Sequence, residues 1–161
     1  MKCLNDVKAK DIKNSIGTDA VYQSKNSGCF TITSYLDSYN IGVKFVNTSF
    51  EMFTHLGCIK SGNVKDPYSP SVCGVGILGA KYPASEDGRY TKEYMLWNNM
   101  LNRCYNDTYR NKRPTYEDCE ASENFKSFEY FYEWCNKQIG FYNQGNENPF
   151  HLDKDLLIKG N

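Results

Sequence analysis

Residues 28–47 read GCFTITSYLDSYNIGVKFVN, and this stretch decides the first half of the fold. Apolar and polar side chains alternate on both sides of a central DSYN turn, and Phe30, Ile32 and Leu36 fall on one face. A period of two is typical of β-strands, and Asp, Ser and Asn favour turns. A third run, SFEMFTHL at 49–56, follows closely. The pattern predicts a small antiparallel sheet with one apolar face and one face that carries Thr, Tyr and Lys.

Two amphipathic helices are predicted in the second half of the chain. The first covers about 92–106 after an N-cap at Thr91, with apolar residues at helical spacing: Tyr94, Trp97, Leu101 and Cys104. The second begins near Ser122 and ends at Gly140, with a stripe formed by Phe125, Phe128, Tyr132, Cys135 and Ile139. Helical spacing of the aromatic residues favours core packing over a base-stacking platform.

The remaining elements are expected to be short. Residues 5–17 have a thin apolar stripe and predict a polar helix, whereas 18–27 predict a loop. One short strand is expected within 71–82, between loops at 60–71 and 83–90.

These patterns predict an α+β fold: a small antiparallel sheet, two packed amphipathic helices, and a C-terminal edge strand at 151–158. We expect three parts. An N-terminal helix and loop form 1–27, an antiparallel sheet lobe forms 28–82, and a helical lobe forms 83–161. The 161 residues suffice for one domain or two small lobes.

Composition favours an ordered globular protein, because 40% of the residues are hydrophobic and 15% are aromatic. No apolar run approaches the ~20 residues that a membrane span needs, and the first residues lack the apolar stretch of a secretion signal. We therefore expect no membrane association. The seven cysteines include no CxxC pair, so reduced thiols are expected rather than a zinc site.

Charge is neutral overall but uneven along the chain. Residues 103–113 hold four positive charges and one negative, whereas residues 117–133 hold six negative and one positive. Two interpretations stay open: solvated faces, or surfaces that bind a charged partner.

Four segments occur in a characteristic order: YMLWNNMLNRCYND (94–107), PTYEDCE (114–120), FKSFEYF (125–131) and LDKDLLIKGN (152–161). In this order they resemble a phage-encoded family related to homing endonucleases of the HNH type. The segment at 44–79 resembles the leader of those phage proteins, which is similar to the three-stranded DNA-contacting sheets of some integrases and plant transcription factors. The resemblance implies a cytoplasmic protein of an infected bacterial host.

The resemblance also implies a degenerate nuclease site at the end of the sequence. Asp153 matches the family's metal-side aspartate, which would hold Mg²⁺, and His151 lies two positions earlier on the same strand face as a candidate base. Asp155 completes the candidate catalytic set. The family's second metal ligand comes from a helix after Lys-Gly-Asn, which this sequence does not contain. We therefore expect binding without cutting, and no cofactor unless nuclease activity and its Mg²⁺ are retained.

Binding candidates follow from charge. Seven basic residues are candidates for nucleic-acid contacts: Lys44, Lys60, Lys65, Arg103, Arg110, Lys112 and Arg113. Four acidic residues are candidates for docking on a protein partner: Glu117, Asp118, Glu120 and Glu123.

Four functions stay open at this point. The protein is expected to bind DNA, or to bind and inhibit a bacterial defence component such as a CRISPR nuclease. If the natural chain continues past Asn161, an active metal-dependent nicking endonuclease is the alternative. A small-molecule binding module is the fourth possibility, favoured only by the many tyrosines and glycines. The oligomeric state is left open.

Overall fold

The computed structural model describes residues 8–138 and 141–142, which form two compact units. The first unit ends at Ser69 and the second begins at Pro70, whereas the sequence analysis divided the chain after residues 27 and 82. Helices and antiparallel strands occur together, so the predicted α+β fold is confirmed. The expected edge strand at 151–158 lies outside the described residues.

The first unit is an antiparallel sheet with two short helices. Its elements are α1 (Ala9–Ser15), β1 (Val21–Gln23), β2 (Cys29–Tyr35), β3 (Ile41–Phe45), β4 (Glu51–Thr54) and α2 (Leu56–Ser61). The strands lie in the order β1-β2-β3-β4, so each strand pairs with its neighbour along the chain. This meander contains the three strands that the sequence predicts and one more.

One face of the sheet forms the core of the first unit. Tyr22, Phe30 and Phe45 are buried there, and Phe30 lies 5.8 Å from the Tyr22 ring and 5.9 Å from the Phe45 ring. Ile12 of α1 and Ile59 of α2 belong to the same buried cluster. Both helices therefore pack on this face, because only there can they bury their apolar residues.

A β-bulge in β2 corrects the predicted face of Leu36. Ile32 pairs with Val43, but the next pair is Ser34 with Gly42, so Thr33 is an extra residue. One extra residue reverses the alternation of side chains beyond it. Leu36 is accordingly 73% exposed and does not share the buried face of Ile32.

Two elements of the first unit were missed. The stretch predicted as a loop at 18–27 contains β1. This strand has only three residues, too few for an alternating pattern to be recognised in the sequence. Its central residue, Tyr22, is buried, and the Tyr22 hydroxyl donates to Ser15 Oγ at 3.0 Å. Helix α2 lies where the predicted strand ends and a loop was expected. His55 caps its start by accepting from Cys58 N–H, and Gly62 ends it with a φ of 69°.

The second unit is mainly helical. Its elements are a hairpin of β5 (Ser85–Glu86) and β6 (Arg89–Tyr90), then α3 (Lys92–Tyr105), α4 (Asp107–Lys112), a 3₁₀ turn at Pro114–Tyr116, α5 (Glu123–Lys126) and α6 (Phe128–Asn136). Helix α3 matches its prediction closely, including the cap from Thr91 Oγ1, which accepts from Tyr94 N–H. Helix α4 replaces most of the expected basic loop.

The second predicted helix is two helices, because Ile77 intervenes between them. Ile77 N–H donates to Lys126 O, and Phe128 N–H donates to Ile77 O, both at 2.9 Å. Ser127 is consequently extended, and its hydroxyl caps α6 by accepting from Tyr130 N–H. The prediction of a strand within 71–82 is wrong, because this segment forms only isolated β-bridges.

Aromatic side chains fill the core of the second unit. Trp97 and Phe128 are fully buried with ring centroids 5.3 Å apart, and Trp97 Nε1–H donates to Phe125 O at 2.8 Å. The aromatic stripes of α3 and α6 therefore serve packing, as their spacing predicts. None of the helices within the described ranges is long and apolar enough to cross a membrane.

Candidate nucleic-acid interface

The second face of the sheet in the first unit is not covered by the unit's helices. We call it the open face, and it is formed by side chains that alternate with the buried ones: Val21, Gln23, Cys29, Thr31, Gly42, Lys44, Val46, Glu51 and Phe53. Antiparallel sheets often have one packed and one solvated face. The alternating pattern predicts a face that carries Thr, Tyr and Lys, and Lys44 is the binding candidate predicted on it.

Lys44 lies in the central row of the open face. The pairs Val21–Thr31, Thr31–Lys44 and Lys44–Glu51 place one residue from each strand in this row. Lys44 Nζ lies 3.0 Å from Glu51 Oε1, and both side chains are about half exposed, at 45% and 60%. An exposed ion pair of this kind is weak, so the ammonium group can exchange its partner for a phosphate at little cost.

In a neighbouring row of the open face, the buried Gly42 lies between Ser34 and Phe53. Gly42 pairs with Ser34 on one side and with Phe53 on the other. A Cβ at Gly42 would lie 2.4 Å from Ser34 Oγ and 2.7 Å from Thr33 Oγ1, so these hydroxyl groups require a glycine here. Phe53 is 61% exposed. The row therefore presents hydroxyl groups and an aromatic ring on either side of a residue without a side chain.

Three lysines gather at one end of the first unit, and we call them the lysine end: Lys25, Lys60 and Lys65. The connection between β1 and β2 is held to the chain after α2, because Lys25 N–H donates to Gly62 O at 2.9 Å and Ser24 Oγ donates to Val64 O at 2.6 Å. All three side chains are exposed, and none forms an ion pair with another described residue.

The carboxylate that follows Lys65 in sequence, Asp66, is hydrogen-bonded within the unit. Asp66 is buried and accepts from Thr48 Oγ1–H at 2.6 Å and from Tyr68 N–H at 2.9 Å. Both carboxylate oxygens of Asp66 therefore already accept hydrogen bonds within the unit. Lys60 and Lys65 consequently keep the positive character that the sequence analysis assigned to them.

The other four basic candidates lie in the second unit, where the three arginines are held by local contacts. The Arg103 guanidinium lies 5.8 Å from the Tyr116 ring, and the Arg113 guanidinium lies 5.5 Å from the Tyr109 ring. Arg110 Nη2 donates to the main-chain oxygen of Glu117. Lys112 is exposed at the end of α4. Cation–π contacts orient the guanidinium groups of Arg103 and Arg113 and leave part of each accessible.

Two of the six acidic residues in the segment 117–133, Glu129 and Glu133, form contacts within the second unit. Glu129 Oε1 accepts from the N–H groups of Ala80 and Lys81, both at 2.8 Å. Glu133 lies 2.6 Å from Lys81 Nζ, and this contact, with the Tyr82 hydroxyl, lowers the pKa of Glu133. These two carboxylates stabilise the unit and do not belong to a free acidic surface.

The four acidic candidates for a partner surface differ among themselves. Glu117, Asp118 and Glu120 are exposed and form no ion pair within the described part of the chain, whereas Glu123 pairs with Lys126. Arg110 and Glu117 line the same surface clefts. The basic and acidic segments of the sequence therefore meet, and their charges partly offset each other.

The candidate nuclease residues His151, Asp153 and Asp155 lie outside the described residues, so the proposed Mg²⁺ ligand Asp153 has no described surroundings. Among residues 8–138 and 141–142, no group of three or more His, Cys, Asp or Glu side chains is arranged to hold a metal ion. The six described cysteines are free thiols. Burial raises the pKa of Cys104 to about 11 and that of Cys135 to about 12, which keeps both protonated near neutral pH.

No family model, curated protein or solved structure gives a significant match to this chain.

Proposed function

We propose that the protein binds nucleic acid through the open face of its first unit, and that it acts by binding rather than by cutting. One observation carries this proposal: a sheet face that the described helices of the unit leave open has a lysine at its centre, with exposed or partly exposed polar and apolar side chains around it. Phosphates attract the lysine, and side chains that stand on a sheet can reach base edges in a groove.

The charge of the first unit supports the same conclusion. Residues 8–69 contain seven lysines, no arginine and five carboxylates, a net charge of +2. Asp11 accepts from Lys8 N–H at 2.9 Å and caps α1. Asp37 closes the turn between β2 and β3, where hydrogen bonds from Asn40 and Tyr39 lower its pKa. With Asp66 buried and Glu51 paired with Lys44, four of the five carboxylates have local partners, while six of the seven lysines are exposed.

The resemblance described above adds a biological setting to the proposal. The four ordered sequence segments resemble those of phage proteins related to HNH homing endonucleases, and the segment at 44–79 resembles the leader of those proteins, which is similar to sheets that contact DNA. We therefore propose a phage protein derived from such an endonuclease, active in the cytoplasm of the infected bacterium, with DNA as its partner.

One observation favours a second candidate function, the inhibition of a bacterial defence component. Glu117, Asp118 and Glu120 are exposed, and within the described residues no basic side chain pairs with them. Such carboxylates can dock on the basic groove of a nucleic-acid-binding enzyme, for example a CRISPR nuclease. The open face favours DNA over this alternative, because it combines a lysine with exposed apolar side chains on one surface.

The test is a salt-dependent binding measurement on the full chain. Fluorescence anisotropy with a labelled 20-base-pair duplex at 50 to 300 mM KCl gives the slope of log affinity against log salt, which reports phosphate contacts. We expect Lys44→Gln to weaken binding and to reduce this slope by about one. Lys10→Gln is the matched control, since Lys10 is exposed on α1, which packs on the opposite face of the sheet.

Each outcome bears on a named function. Absence of any salt-sensitive binding by the wild-type chain contradicts the proposal and directs attention to a host protein, which a pull-down with a purified CRISPR nuclease then tests. Equal losses in Lys44→Gln and Lys10→Gln contradict the assignment to the open face. Nicking of supercoiled plasmid with Mg²⁺, lost in Asp153→Asn, would restore the nuclease alternative.

A further inference from the structure

We infer that Cys58 is a modification site, whose thiol forms a mixed disulfide with small anionic disulfides such as glutathione disulfide, and that His55 assists the reaction. Both residues lie at the start of α2, which packs on the buried face of the sheet through Ile59. Neither residue belongs to the open face, so the reaction is independent of the proposed DNA binding.

The His55 ring is in direct contact with the Cys58 thiol. His55 Nε2 lies 3.1 Å from Cys58 Sγ, and the main-chain N–H of Cys58 donates to His55 Nδ1 at 3.3 Å. Because Nδ1 accepts this hydrogen bond, the proton of the neutral imidazole is on Nε2, the nitrogen that faces the sulfur. His55 therefore holds an N–H donor against the sulfur of Cys58.

Gly57 leaves the space that the ring needs to reach the thiol. A Cβ at Gly57 would lie 3.1 Å from His55 Nδ1 and 3.3 Å from His55 Cε1. Both distances are shorter than an ordinary van der Waals contact, so a side chain at position 57 would displace the ring. The contact between imidazole and thiol is therefore encoded in the local sequence His55-Leu56-Gly57-Cys58.

The other thiols in the described ranges have different surroundings. Burial raises the pKa values of Cys73, Cys104 and Cys135, which keeps these thiols protonated near neutral pH. Cys29 and Cys119 donate to oxygen acceptors, and such an acceptor favours the neutral thiol. Among the described cysteines, Cys58 is thus the one whose sulfur contacts an imidazole.

The reaction is a thiol–disulfide exchange, in which a thiolate is the nucleophile. Cys58 Sγ attacks one sulfur atom of the disulfide, a new S–S bond forms, and the original S–S bond breaks. The other half of the reagent leaves as a thiolate and takes up the proton that Cys58 released, so one disulfide yields one mixed disulfide and one free thiol. Cys58 is oxidised and the departing sulfur is reduced. The Nε2–H group of His55 assists by stabilising negative charge on the attacking sulfur.

Exposure and charge define the class of reagent. His55 is exposed and Cys58 is partly exposed, so a small molecule can reach the sulfur from solvent. Lys60 follows two residues later on the same helix, is exposed, and forms no ion pair with another described residue. An ammonium group within one helical turn of the thiol attracts a negatively charged reagent.

The experiment follows the reaction of the reduced full chain with glutathione disulfide at pH 7. Mass spectrometry of the intact protein gives the rate of the first addition, and peptide mapping locates it. We expect the first adduct on Cys58 and its removal by dithiothreitol. Cys58→Ser should abolish this addition. Cys119→Ser is the matched control, because Cys119 is also a partly exposed thiol, and it should leave the rate at Cys58 unchanged.

His55→Asn tests the role of the imidazole without removing the helix cap, since asparagine is a preferred N-cap residue. We expect addition at pH 7 to be about tenfold slower, the ratio that corresponds to loss of one charge-assisted hydrogen bond. At pH 10.5, above the ordinary pKa of an exposed cysteine, thiols ionise unaided, so the ratio of the two rates should approach one. A merely structural role of His55 would change the rates at both pH values, and melting temperatures establish that the variants are folded.

Lys60→Gln tests the charge of the reagent. We expect addition to be roughly twofold slower at 20 mM salt and unchanged at 300 mM salt, where the charge is screened. An unchanged rate at 20 mM salt overturns the choice of an anionic disulfide. A first adduct on another cysteine, or an unchanged rate at pH 7 in folded His55→Asn, overturns the assignment of Cys58 and His55. DNA binding is measured separately and can stand or fail independently of these results.

Discussion

Glu129 occupies the space that a side chain at position 79 would need. A Cβ built on Gly79 would lie 2.3 Å from Glu129 Oε1, and Gly79 has a φ of 76°, which side chains rarely tolerate. The same oxygen accepts from the N–H groups of Ala80 and Lys81, at 2.8 Å each. One carboxylate on α6 therefore fixes the loop before β5, and the glycine is what allows its approach.

We expect Glu129→Ala to lower the free energy of unfolding by about 2 kcal/mol, because two backbone donors lose a charged acceptor. Urea denaturation monitored by circular dichroism measures this. Glu117→Ala is the matched control, since Glu117 is exposed without an ion pair among the described residues, and its change should stay within about 0.5 kcal/mol. Equal effects of the two substitutions would show that the loop contact contributes little.

Glu51 should limit DNA binding, because it places a negative charge beside Lys44 at the centre of the open face. We expect Glu51→Gln to increase affinity for duplex DNA roughly threefold at 50 mM KCl, through loss of phosphate repulsion and release of the Lys44 ammonium. The gain should shrink at 300 mM KCl, where screening weakens both effects. Stability should change little, as the ion pair is exposed. Weaker binding by Glu51→Gln would mean that the ion pair positions Lys44 for contact.

Elements that depend on a repeated spacing of apolar residues can be predicted from the sequence, and α3 is an example. Its four apolar positions and its Thr91 cap are local signals, and the helix forms where they indicate. The break at Ser127 has no such signal, because it depends on Ile77, fifty residues away in the chain. The bulge at Thr33 likewise depends on pairing with β3.

The candidate site follows the same rule. Lys44 was identified because alternation alone places it on the polar face of a strand. Phe53 and the hydroxyl groups beside Gly42 were missed, because an aromatic residue in a predicted strand is ordinarily assigned to the core. Only the pairing of β4 with β3 reveals that Phe53 stands on the open face.

Gly76 lies against the core of the second unit and should not tolerate a side chain. A Cβ there would lie 2.4 Å from Leu101 Cδ1 and 3.0 Å from the Trp97 ring. We expect Gly76→Ala to destabilise the protein by about 1–3 kcal/mol through overpacking. Thermal unfolding followed by Trp fluorescence measures this.

Gly74→Ala provides the comparison for Gly76→Ala. Nothing lies within 4 Å of a Cβ at Gly74, but its φ is 74°. Its cost should be about 1 kcal/mol, from backbone strain alone. A smaller loss in Gly76→Ala than in Gly74→Ala would indicate that Leu101 and Trp97 move aside easily.

Cys135 should make the second unit sensitive to alkaline pH. The thiol is fully buried, and desolvation, with the nearby Glu93 carboxylate, raises its pKa from the ordinary 9.0 to about 12. Above pH 9 the unfolded chain releases this proton while the folded chain keeps it, so ionisation favours the unfolded state. The stabilising contribution is therefore complete below pH 9 and is lost as the pH rises toward 12.

We expect the free energy of unfolding to fall between pH 9 and 11 less steeply in Cys135→Ala than in wild type, by up to about 1.4 kcal/mol per pH unit. Urea denaturation at pH 8, 9.5, 10.5 and 11 gives the two slopes, and their difference is unaffected by any constant loss from the cavity. Cys104→Ala should show the same change over a narrower range, since burial raises the pKa of Cys104 only to about 11. Parallel slopes for wild type and Cys135→Ala would mean that the alkaline loss comes from other groups, such as Tyr94 and Tyr105, whose pKa values burial also raises.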